Sequence, residues 1–132
     1  MGDIGTPRKR YLGISAHIKD KTVEGIAALA WEAGLRYLEI VAERFWNLPD
    51  GGGQSRWQEI KDLLAHYGLC PFVHSSYIEI NMASLNWHLR EASLRENQRC
   101  LEFAAFLEAE YLIVHPGNLN RYYPAAFSAG VE

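Results

Sequence analysis

Apolar residues along this chain follow two alternating rhythms: short runs of strand formers, and longer stretches with helical spacing. Tyr11 to Ala16 (YLGISA) is the first short run and predicts a strand, followed by the polar HIKDKT, a loop running to a helix cap. The Thr22 hydroxyl can accept a bond from an orphan amide of the next turn. Ile26, Leu29 and Ala33 then recur at helical spacing, and Gly34 suits the left-handed residue that stops a helix, so a first helix is expected from Val23 to Ala33. Arg36 to Val41 (RYLEIV), β-branched and aromatic, predicts the second strand. AERFWNLPDGGGQ, with Pro49 and three successive glycines, predicts a surface loop. Ser55 with Gln58 makes a capping box ahead of Ile60, Leu63, Leu64 and Tyr67, and Gly68 closes this second helix.

The second half of the chain continues the pattern. Phe72 and Val73 behind Pro71 predict a third strand that ends at His74, and SSYIEINMAS follows as a structured loop. A third helix is expected from Asn86 to about Ala109, with Leu94, Cys100, Leu101, Ala104 and Leu107 as its buried stripe. Tyr111 to Val114 (YLIV) predicts a fourth strand, stopped by His115, Pro116 and Gly117. Strands separated by helices imply an α/β fold of parallel strands joined by crossovers, in which binding and catalysis gather in the loops after the strands.

Composition narrows this picture. With 132 residues, 48% hydrophobic and 22% charged, the chain can bury the core of one globular unit; residues 1–10 are polar and read as a flexible N-terminus, with 11–132 as the folded domain. A net charge of -3 gives no overall electrostatic footprint for duplex DNA, although a local basic patch stays open. Cys70 and Cys100 show no CxxC spacing and point to neither a zinc ribbon nor a disulfide framework, as expected for a reducing cytoplasm. No apolar run is long enough for a signal-peptide core or a membrane span, which also favours a cytoplasmic location and no membrane partner.

Four side chains fall in or beside the loops that matter: His17, Glu43, His74 and His115. A single histidine at a strand end is more often a hydrogen-bonded structural residue than a ligand. Two histidines closing successive apolar strands converge on one rim, and neutral imidazole is the commonest ligand for zinc and its neighbours. His17 can line the same rim or simply face water, and His66 and His88 read as solvated helix residues. Glu39 lies inside the apolar YLEIV, where a carboxylate is costly unless paired or ligating, so it is the candidate catalytic group; Glu43 is readily solvated. Arg44, Phe45 and Trp46, with Arg56 and Trp57, can form a lid that stacks on a sugar or base, or an ordinary exposed aromatic loop.

HSSYIEINMAS from His74 to Ser84, the helix LREASLRENQRCLEFAAFLEAE and the closing YLIVHPGN from Tyr111 to Asn118 together resemble the xylose isomerase-like superfamily of TIM barrels. That superfamily includes sugar phosphate isomerases and epimerases and the endonuclease IV repair enzymes. The resemblance covers Tyr11 to about Asn118 and implies a (β/α)8 fold. In the endonuclease branch the histidines of these two motifs ligate metal, which carries over to His74 and His115 with a divalent ion such as Zn or Mn. In the epimerase branch the same strand ends line a sugar pocket, to which His17, Trp46, Tyr77 and Asn118 would contribute as substrate-binding residues, and the principal metal ligands come from later strands. Three residues separate Tyr77 from Asn81 where endonucleases typically have two, a spacing more like that of the isomerases and epimerases. Glu108 departs from the family by standing where a helix-ending glycine is usual.

A closed barrel takes about 250 residues and eight strands, whereas this chain shows four strand patterns, so about half a barrel is expected. It would be a fragment, a natural short product, or one of two copies associating edge to edge. Open parallel edges are prone to pairing, so a homodimer or higher assembly is expected. The function implied is that of a metal-dependent sugar or sugar-phosphate isomerase or epimerase, incomplete as a single chain. The alternatives are an endonuclease IV-like fragment acting on apurinic or apyrimidinic DNA, and a non-catalytic binding or assembly module.

Overall fold

The computed structural model describes residues 9–16, 22–43 and 53–118. Among the described residues four strands and three helices alternate: β1 (Lys9–Ser15), α1 (Val23–Glu32), β2 (Leu35–Val41), α2 (Gln54–Tyr67), β3 (Cys70–His74), α3 (Trp87–Phe106) and β4 (Leu112–Ile113). They form one sheet in the order β1-β2-β3-β4, and every neighbouring pair is parallel. This is the sequential βα pattern of a TIM-type barrel, with four of its strands. Among the described residues no helix is long and apolar enough to cross a membrane.

Caps define the helices. Thr22 Oγ1 accepts from the Gly25 amide at 3.2 Å, and Asn86 Oδ1 accepts from His88 and Leu89 at 3.0 and 3.4 Å, so both helix starts fall where the polar residues predicted them. Gly34 and Gly68 are left-handed at φ 67° and 57° and end the first two helices. The expected capping box at Ser55 does not form. The cap is Gly53, whose carbonyl accepts from Arg56 N at 2.9 Å, so Ser55 lies inside the first turn and Gln58 turns away to Asp62 at 2.8 Å. Arg56 is thereby placed to bridge Glu24 on α1 and Glu59 on its own helix, each at 2.7 Å.

The core lies between the sheet and the helices. Leu38, Ile40 and Val73 meet Ile26, Ala27 and Ala30 of α1, Ile60 and Leu64 of α2, and Cys100, Phe103, Ala104 and Leu107 at α3. The buried stripe of α3 therefore differs from the expected one: Leu94 and Leu101 are 47% and 57% exposed, and Phe103 is fully buried. Helical geometry explains the difference, because Leu94 and Leu101 each stand one residue, about 100° of turn, beyond the buried Ser93 and Cys100. Strand β3 begins at Cys70 and so includes Pro71, while β4 is limited to two residues. On the other face of the sheet, Tyr37, Glu39, Phe72, Tyr111 and Ile113 line an open hollow of about 680 Å³.

Candidate functional site

Parallel pairing brings the candidate residues together. In β2 and β3, Glu39 is level with Phe72 and Val41 with His74, while β4 pairs Ile113 with His74 and leads two residues later to His115. Side chains alternate along a strand. Leu38, Ile40 and Val73 face the helices, so Glu39 and His74 share the hollow face.

A short chain of contacts results. Glu39 Oε1 lies 2.5 Å from His74 Nδ1, and His74 Nε2 lies 2.6 Å from His115 Nε2. The two imidazole rings stack at 4.9 Å between centroids with planes 11° apart. An ionised carboxylate only accepts, so Glu39 assigns the proton to His74 Nδ1 and leaves the Nε2 lone pair directed at His115. The Glu39 and His74 side chains are only 16% and 22% exposed, whereas His115 is exposed. Tyr77 completes the cluster, its ring 5.4 Å from each imidazole.

The loops carrying these groups are stitched by side chains. Glu43 Oε1 accepts from the amides of Tyr77 and Ile78 at 2.9 and 2.6 Å, so the group that reads as freely solvated in the sequence instead anchors the loop after β3. Asn81 Nδ2 donates to the Asn118 carbonyl at 3.2 Å, and Asn81 Oδ1 accepts from Ala83 N at 3.1 Å. Gly117, at φ 101°, packs so closely that a Cβ there would stand 2.7 Å from Asn81 Cα; glycine alone permits that approach. The Asn81 amide is held in turn by Ser93 Oγ at 2.9 Å, and Ser76 Oγ donates to Glu96 at 2.6 Å.

Glu39, His74, His115 and Tyr77 are therefore gathered at one end of the sheet, with Asn118 beside them and held through its carbonyl. His17 and Trp46 lie outside the described residues, as does the lid segment 44–52. At the opposite end of the hollow the Tyr37 hydroxyl lies 3.5 Å from Glu110; desolvation, followed by the Glu110 charge, pushes its pKa above the ordinary tyrosine value. Glu43 and Asn81 were the positioning residues that spacing did not reveal.

The donor set fits part of a metal site. Two imidazole nitrogens converge, and the second nitrogen of His74 rests on a carboxylate, the outer contact typical of ligating histidines. With Zn–N bonds of 2.0–2.1 Å, tetrahedral ligands stand about 3.3 Å apart, so the rings would need to separate by less than ~1 Å. Among the described residues no group of three or more His, Cys, Asp or Glu side chains forms a candidate metal set.

Comparison with known proteins agrees with this architecture. The family model described as xylose isomerase-like TIM barrel matches residues 27–130. An uncharacterized protein of Methanocaldococcus jannaschii is 38% identical over 45 residues, which is 34% of this chain and 17% of that protein. Among solved structures, a D-tagatose 3-epimerase-like protein superposes with a TM-score of 0.70 at 20% identity, covering 88% of this chain and 41% of that one; this likeness is one of fold. Endonuclease IV from Thermus thermophilus superposes with a TM-score of 0.57 at 30% identity, over 89% of this chain and 44% of that one. The chain thus spans less than half the length of each of these proteins. It belongs to the xylose isomerase-like TIM barrel family.

Proposed function

We propose that His74 and His115 supply two ligands of a divalent-metal site, of Zn or Mn, serving the isomerisation or epimerisation of a sugar or sugar phosphate. The observation that supports this most directly is the convergence of their Nε2 atoms at 2.6 Å beside the Glu39 contact. A metal held there would supply Lewis-acid polarisation of a substrate carbonyl. Glu39 holds His74 in the tautomer whose Nε2 lone pair faces the site, and it is the carboxylate we assign to moving the proton. Tyr77 offers an aromatic face against which a sugar ring packs, and the Asn118 backbone borders the same opening. His17 and Trp46 are proposed as further substrate contacts. The hollow lined by Tyr37, Glu39 and Phe72 has the size of a small-molecule site, and the two edges of the sheet formed by the described residues favour self-association of the chain.

Metal titration with Zn²⁺ and Mn²⁺, followed by calorimetry, tests the ligands. The expected result is uptake by the purified chain that His74→Ala and His115→Ala each abolish; equal uptake by the variants rejects the site. The reaction class is tested by deuterium incorporation from D2O next to the carbonyl of a panel of ketoses and their phosphates, and no exchange in the metal-loaded protein rejects it.

A second reading, cleavage of abasic-site DNA, draws on the 30% identity to endonuclease IV. The net charge of -3 and the Tyr77–Asn81 spacing favour the sugar. Incision of an abasic duplex at low salt, without sugar exchange, would reverse that order.

A further inference from the structure

Glu39 accounts for the orientation of His74 but not for that of His115. Strand β4 ends at Ile113, whose carbonyl accepts from Ser75 N at 2.9 Å, so His115 stands two residues past the last strand position. Pro116 biases the backbone of His115 toward extended conformations, which narrows the course of the chain without fixing the place of the ring. Two nitrogens of the loop after β3 reach across to the turn that follows. Ala83 N donates to the Pro116 carbonyl at 3.2 Å, and Asn81 Nδ2 donates to the Asn118 carbonyl at 3.2 Å. Between these two bonds Gly117, at φ 101°, lies against Asn81 so closely that a Cβ would stand 2.7 Å from Asn81 Cα.

Asn81 is itself fixed on a helix. Its amide donates to Ser93 Oγ at 2.9 Å, and that hydroxyl donates to the Leu89 carbonyl within α3 at 2.8 Å. Ser93 is buried, with 3% of its surface exposed. Ala83 N can only donate, which assigns the Asn81 atom 3.1 Å from it as Oδ1 and turns Nδ2 toward Asn118. The Asn81 carbonyl accepts from Ser84 N at 3.2 Å, so all four polar groups of this residue are bonded.

We propose that Asn81 is the positioning residue for His115, carrying the place of helix α3 through Ser93 to the turn at 116–118. The two imidazoles are then held by different parts of the fold: His74 by the sheet and Glu39, His115 by α3 through Asn81. Their Nε2 approach of 2.6 Å reflects how those two parts meet. Only the consequence for metal affinity rests on the metal reading above; the placing of the ring does not.

Proton NMR of the metal-free protein, read at the histidine and tyrosine rings, tests the assignment. The unmodified protein should show nuclear Overhauser contacts between His115 and His74 and between His74 and Tyr77. Asn81→Asp keeps an acceptor for Ala83 N and removes the donor to Asn118, while Gly117→Ala keeps Asn81 and forces the turn away from it. Both variants should weaken the His115–His74 contact and preserve the His74–Tyr77 contact, because Glu43 holds the Tyr77 amide independently. A His115–His74 contact of full strength in either variant overturns the proposal. Loss of both contacts together overturns it as well, since that marks collapse of the whole loop rather than displacement of one ring. Zinc calorimetry reads the same variants separately. Affinity about tenfold lower is expected, the smaller end of the effect of removing a support behind a ligand, and unchanged affinity in a protein that binds zinc refutes the positioning role. Absence of zinc uptake by the unmodified chain rejects the metal reading instead, and the ring contacts alone then decide whether Asn81 places His115.

Discussion

His74 and His115 meet through their Nε2 atoms at 2.6 Å although 41 positions separate them, and it is Glu39, on the strand next to β3, that fixes which lone pair His74 offers. Glu39→Gln preserves the length and an accepting oxygen but removes the charge behind the imidazole. Losing such an outer contact typically weakens metal binding by 10–100-fold. The expected outcome is zinc affinity reduced by about that factor with the fold intact, read by calorimetry and circular dichroism. Unchanged affinity would separate Glu39 from the site.

Glu43 positions Tyr77 through two amide bonds of 2.9 and 2.6 Å. Glu43→Ala leaves both donors without this partner, at a cost of about 1–3 kcal/mol, less where water replaces the carboxylate. Hydrogen exchange at the Tyr77 and Ile78 amides should accelerate, with little change in α1 or α2. Exchange rates equal to those of the unmodified protein would show that the loop holds its shape without Glu43.

Much of this arrangement was legible in the sequence because its signals are local. Thr22 and Asn86 announce helix starts through short side-chain bonds, and a carboxylate inside YLEIV signals a partner, which proved to be His74. The failures share a cause. Glu43 is explained only by amides 34 and 35 residues away, and the buried face of α3 depends on what it packs against. With apolar residues on more than one side of that helix, spacing alone favoured Leu94 and Leu101 over Phe103. Ser55 carried a correct local signature, but Gly53 starts the helix first.

Glu108 stands at φ 56°, a left-handed backbone that disfavours every residue with a Cβ. Its compensation is an ion pair with Lys61 at 2.8 Å, and that ammonium holds the Glu108 carboxyl below its ordinary value of 4.5. A lowered folded-state pKa means the pair helps above the ordinary carboxylate range and is lost as pH falls through the folded value. Glu108→Gly relieves the backbone at all pH values and forfeits a pair that, being exposed, is weak. A rise in Tm of about 2–4 °C at neutral pH is expected, growing as the pH falls below 4.5. A lower Tm in thermal scans at neutral pH would mean that the Lys61 contact outweighs the strain.

Among the described residues Phe103 is the largest fully buried side chain, and its ring lies 5.1 Å from Trp57, which in turn stands 5.7 Å from Phe106. These rings join α2 to α3 on the helix side of the sheet, remote from the hollow face that carries His74. Phe103→Ala removes that packing and opens a cavity, a change that typically costs 3–5 kcal/mol. Small domains hold only about 5–15 kcal/mol in total, so the variant should lie close to unfolding at 37 °C. Phe103→Leu keeps most of the volume and should lose about 1.5 kcal/mol or less. Urea denaturation measures both: the midpoint should fall in the order Leu then Ala while the slope stays constant. Zinc affinity measured on the folded Leu variant should match that of the unmodified chain, because the two faces of the sheet carry separate tasks. A midpoint unmoved by Phe103→Ala would mean that the ring is not part of the core that holds α3 to the sheet.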